Sequence, residues 1–137
     1  MSPESRNLHP FRPGVTVCNI WTTDSFPASN DDNADEGLRP VETTLRNGTI
    51  FRIIEFAPGH APRNHRTDSI DYLLVMSGEI DMDLDGTTVH LRAGDVMVQR
   101  GTIHNWTNRG TGPCVIAFVL IDAKSVTAGG KALPAVG

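Results

Sequence analysis

The chain has 137 residues, a mass of 14.9 kDa and a formal net charge of −4, which fits one domain that buries about two-thirds of its surface on folding. With 12 Lys and Arg against 16 Asp and Glu and no basic cluster, the composition argues against a nucleic-acid partner, and no apolar run approaches the ~18 residues of a membrane span. Thirteen glycines and nine prolines suit many short strands joined by tight turns.

Residues 1–13 are polar and proline-bearing and read as irregular, and no apolar h-region follows Met1, so a secretory leader is not expected. Val15–Trp21 reads as a strand. Cys18 and Cys114 both sit in apolar, strand-like runs, which favours two buried thiols over a disulfide and a soluble, cytoplasmic protein. Residues 22–40 combine Phe26-Pro27 with an acidic run, Asn30 to Glu36; the run reads as a solvated loop, and the alternative is a lid over a pocket mouth. Val41–Leu45 is read as a strand before the Asn47-Gly48 turn.

Thr49–Phe56 and Asp71–Met76 follow as strands, each closed by a glycine, Gly59 and Gly78. Glu79–Leu84 alternates polar and apolar, placing Ile80, Met82 and Leu84 inward; after Asp85-Gly86, Val89 and Leu91 point inward and His90 outward. Val96–Gln99, His104–Thr107 and Val115–Ile121 complete the strands, and residues from Ala123 read as a flexible tail. No segment has a helical period, so the expected fold is all-β, a sandwich or barrel. The expected layout is an N-terminal segment 1–40, a β-barrel 41–122 and a tail 123–137.

Two stretches carry chemistry. The first runs Gly59-x5-His65-x-Thr67-x3-Asp71-x6-Gly78; the second has Gly94, Gln99, Gly101, His104 and Asn108. Residues two apart on a strand share a face, so His65, Thr67 and Asp71 can point into the barrel, with His104 entering from a nearby strand. Together the two stretches resemble the paired motifs of the cupin family, with Thr67 where a second histidine is expected, Asp71 in place of a glutamate and Gln99 in place of a proline. The resemblance covers about residues 41–122 and includes His-Arg-Thr-Asp-Ser-Ile-Asp-Tyr and Val-Gln-Arg-Gly-Thr-Ile-His-Asn-Trp. It implies a double-stranded β-helix, or jelly-roll barrel, in a small single-domain protein.

It also implies a site at His65, Asp71 and His104. Two imidazoles and a carboxylate suit zinc, iron, nickel or manganese, with His60 as a possible further ligand; without metal, the same residues are a His–Asp acid/base group. Thr67, Gln99 and Trp106 are the candidate substrate contacts, Trp106 being more often core than substrate wall in such a position. Of Arg52 and Glu55, which have opposite parity on one strand, one is expected to look inward. The implied function is a lyase or isomerase acting on a small organic or aromatic acid, with a non-haem dioxygenase and a non-catalytic binding module as alternatives. No phosphate-cradling loop supports a nucleotide cofactor. A homodimer is expected, with Val15–Trp21 adding to a neighbour's sheet edge.

Overall fold

The computed structural model describes residues 8–31, 34–133 and 135–136. The strands are β1 (Leu8–Arg12), β2 (Val15–Thr23), β3 (Thr49–Phe56), β4 (Ser69–Ser77), β5 (Glu79–Leu84), β6 (Thr87–Arg92), β7 (Val96–Gln99), β8 (His104–Thr107), β9 (Cys114–Asp122), β10 (Val126–Ala128) and β11 (Lys131–Leu133). A six-stranded antiparallel sheet, ordered β1-β2-β3-β9-β4-β7, packs over a three-stranded sheet, β6-β5-β8, while β10 and β11 form a separate hairpin. Apart from one short 3-10 turn at Glu36–Leu38, the described regular structure is all strand, and no described helix is long and apolar enough to cross a membrane.

The core lies between the two sheets. Val15, Ile50, Phe56, Leu73, Val75, Ile116 and Phe118 come from the large sheet, and they meet Ile80, Met82, Leu91 and Trp106 from the small one. Period-two alternation makes this possible: in β4, Ser69, Asp71, Leu73 and Val75 are buried while Tyr72, Leu74 and Met76 are exposed. The expected facing of Ile80, Met82 and Leu91 holds, and His90 is on the surface, bonded to Asp81 at 2.6 Å. Neither Cys18 nor Cys114 is in a disulfide.

Several expectations differ from the structure. Val41–Leu45 is not a strand; it is a loop whose Glu42 carbonyl accepts a hydrogen bond from Arg52 at 2.7 Å. Strand β2 is interior, paired to β1 on one side and β3 on the other, so it has no free edge to offer along the β1-covered half. Residues 1–13, read as irregular, include β1 (Leu8–Arg12), which pairs with β2 because its backbone groups continue that ladder. In residues 22–40 Phe26 is 95% exposed, Arg39 staples the segment to the end of β2 through Thr22, Asp24 and Glu36, and residues 37–40 line a surface pocket apart from the core. The segment read as a tail carries β10 and β11, and Val136 exchanges two backbone hydrogen bonds of 2.9 Å with Arg66.

Asn108 locks the loop before β9. Its buried Nδ2 donates to the carbonyls of Phe56 and Gly112, both at 2.9 Å, and its Oδ1 accepts from the Gly110 amide at 3.0 Å. Asn108→Ala leaves these buried groups unpaired and is expected to cost about 2 kcal/mol, read as a lower urea midpoint at unchanged m-value.

Candidate active site

The two motif histidines are cross-strand partners. His65 and His104 exchange backbone hydrogen bonds, N to O, at 3.0 Å in both directions, although His65 lies outside any strand. A directly opposed antiparallel pair brings its side chains onto one face, and the imidazole centroids are 4.4 Å apart. Each ring is held in the same way: Nδ1 of His65 bonds the Arg63 carbonyl at 2.9 Å and Nδ1 of His104 bonds the Thr102 carbonyl at 2.8 Å. A carbonyl only accepts, so Nδ1 carries the proton and Nε2 is left with its lone pair. Burial pushes both imidazoles down, His65 to about 4, which keeps the pair neutral.

Asp71 reaches the same space from β4. Its Oδ1 accepts from Ser69 Oγ at 2.6 Å, and Ser69 Oγ lies 2.8 Å from Thr67 Oγ1, forming a hydroxyl chain along one face. Burial raises the Asp71 carboxyl to about 6, opposed by the Ser69 bond and the Arg52 charge. Arg52 is the inward member of the Arg52/Glu55 pair, 3% exposed. It donates from Nε to Asn19 Oδ1 at 3.0 Å, and burial lowers its pKa to about 10.

These groups line a chamber of about 70 Å³ whose apolar wall includes Phe56, Trp106, Phe118 and Leu120. An outer groove of about 490 Å³ shares Phe11, Thr43, Arg63, His65 and Thr67 with it. The chamber lining holds three guanidiniums, Arg12, Arg52 and Arg63, against one carboxyl, Asp71. Cations exceed anions even when Asp71 is ionised.

Of the residues singled out from sequence, the structure brings His65, Thr67, Asp71, His104 and Trp106 to one chamber. Trp106 serves both readings, buried in the core and facing the site. Gln99 does not line the chamber; its Nε2 is spent on the Arg100 carbonyl and Thr102 Oγ1, at 2.8 and 2.6 Å, bracing the turn that presents His104. His60 is elsewhere too: its ring nitrogens face the Ala57 and Trp106 carbonyls, at 3.0 and 2.9 Å, so neither is directed into the chamber, which His60 does not line. Sequence reasoning missed Ser69, Arg12 and Arg63. Ser69 was detectable, being in phase with Thr67 and Asp71; the arginines come from a strand and a loop whose meeting no local pattern encodes.

The donor set fits a metal only partly. Two imidazoles with Nδ1–H fixed on carbonyls have the orientation that metal-binding histidines adopt. Among the described residues, however, no three His, Cys, Asp or Glu side chains are grouped to hold an ion, and a catalytic site ordinarily has three protein ligands. Asp71 shares the chamber without completing the set.

A family model for the cupin domain matches residues 52–121. The chain is 45% identical over 96 residues to phomopsin biosynthesis cluster protein C' of Diaporthe leptostromiformis, covering 69% of this chain and 51% of that protein. It is 40% identical over 119 residues to the cupin-domain-containing oxidoreductase fogC of Aspergillus ruber, covering 82% and 59%. The chain thus spans between half and three-fifths of the length of these relatives. Among solved structures, a Klebsiella pneumoniae protein with a double-stranded β-helix domain aligns with TM-score 0.60 at 19% identity, covering 88% of this chain and 92% of that one. KdgF from a Halomonas species aligns with TM-score 0.59 at 15% identity, covering 85% and 86%. These two likenesses concern the fold.

Proposed function

The chain belongs to the cupin family, and from that premise we propose that it is a small-molecule enzyme that moves a proton on a small organic acid, a reaction of lyase or isomerase type. The observation that carries this reading is the pairing of two neutral imidazoles with a carboxyl near neutral pKa in one apolar chamber. A proton-transfer group works best when its pKa lies near the working pH, and burial brings Asp71 toward it, up to about 6. In this reading Asp71 takes and returns the substrate proton. Ser69 and Thr67 link it to the outer groove, which Thr67 also lines, giving a route for exchange with water. His65 and His104 accept hydrogen bonds at Nε2 from the substrate and orient it.

The test is deuterium incorporation. Small carboxylic acids with an exchangeable α-proton are incubated with protein in D2O and followed by NMR. Incorporation is expected with the native protein and at least about 100-fold slower with Asp71→Asn. Exchange that is unchanged in that variant overturns the reading.

A second reading, an oxidoreductase, is favoured by the printed description of the fogC relative and by the metal-type orientation of the two imidazoles. Metal ions are common in the family, where they act as Lewis acids or bind oxygen. Near-stoichiometric iron in the native protein, lost in His104→Ala and accompanied by oxygen uptake, would decide for it.

A further inference from the structure

We propose that Arg12 and Arg63 form a subsite for the carboxylate of the substrate, where the chamber meets the outer groove. The proposal rests on the small-acid reading above and says where the acid group sits. Arg12 comes from β1 and Arg63 from the loop before His65, and both line the chamber. Arg63 lies over the Phe11 ring at 5.6 Å, while Arg12 Nη1 donates to the Ala61 carbonyl. The Nε–H of each is buried and has no hydrogen-bond partner among the described residues. The two guanidiniums repel each other and bear on His65. Of the other charged groups, Arg52 is held by Asn19 and the Glu42 carbonyl and is balanced by Asp71, while Glu42, Arg66 and Asp68, whose buried Oδ1 has no hydrogen-bond partner among the described residues, line the groove rather than the chamber.

Two like charges with buried, unsatisfied donors are costly unless an anion joins them. A carboxylate supplies the charge and the acceptor oxygens that planar guanidinium forks match. The chamber of about 70 Å³ has room for only a few heavy atoms, less than the ~150 Å³ cavity that takes a benzene ring, so the class is a carboxylate whose apolar or aromatic group lies along the adjoining groove of about 490 Å³ beside Phe11.

The test is isothermal titration with benzoate and its neutral isostere benzamide. The native protein is expected to bind benzoate at least tenfold more tightly than benzamide. Arg12→Gln and Arg63→Gln are expected to lose that preference while keeping benzamide binding. Equal affinity for the two probes, no saturable benzoate signal, or variants that bind benzoate as the native protein does would overturn the subsite. Asp71→Asn separates the two ideas: benzoate preference retained in that variant supports the subsite even where deuterium exchange fails, and loss of the preference there overturns the assignment to the arginines.

Discussion

Gly78→Ala is expected to destabilise the fold by more than about 3 kcal/mol and to lower Tm by at least about 10 °C. Gly78 turns the chain from β4 into β5 at φ +76°, and a Cβ there would lie 2.4 Å from the Pro113 carbonyl oxygen and 3.0 Å from Cys114 Cα. The left-handed backbone alone costs an alanine about 1 kcal/mol. The remainder arises because the obstacle is backbone at the start of β9, which pairs with β3 and β4 and cannot move without disturbing both ladders. Gly86→Ala is the control. Gly86 has φ +73°, yet its added Cβ meets nothing within 4 Å, so only the backbone cost of about 1 kcal/mol applies. Thermal unfolding of the two variants side by side checks the argument; equal shifts would remove the steric half of it.

That contrast marks what was legible in the sequence. Gly78 and Gly86 both read as turn glycines, and the strand that follows each was placed correctly, because β5 and β6 have one buried and one solvated face. The alternation fails in β3, β4 and β9, where Phe51, Tyr72 and Val119 face outward yet are apolar. A strand apolar on both faces loses its period-two signal, and so the inward position of Arg52 could not be read. The His65/His104 pair was legible as two motif residues, but their backbone bridge and matched Nδ1 anchors depend on loop conformation. Ser69 lay in phase between Thr67 and Asp71. The charge surplus at the chamber depends on Arg12 and Arg63 meeting across the fold, which neither motif carries.

The second large effect is in the pH dependence of stability, where Asp71 and His65 oppose each other. His65 has a folded pKa of about 4, below the ordinary 6.5. The unfolded chain therefore binds more protons between those values, and stability falls as pH drops through that window, by about 3 kcal/mol in all. Asp71 has a folded pKa of about 6, above the ordinary 3.8. Here the native state binds the extra proton, so stability rises as pH drops from 6 toward 3.8, again by about 3 kcal/mol. The two slopes offset across the shared window, and His104, also lowered by burial, adds to the loss on the acid side. The native protein should thus lose only moderate stability on mild acidification, whereas Asp71→Asn, without the compensating proton, should lose more. The stability gap between native protein and this variant is expected to shift by about 2–3 kcal/mol in favour of the native protein between pH 7.5 and 4.5. His65→Gln should show the reverse, losing less than the native protein over the same range. Urea unfolding of chelator-treated proteins at the two pH values measures all three, and because only changes in the gap are compared, the cost of leaving Arg52 without its carboxylate cancels. Parallel pH slopes in the three proteins would mean that neither group has the buried titration assigned to it, and the acid–base role of Asp71 would lose its physical basis.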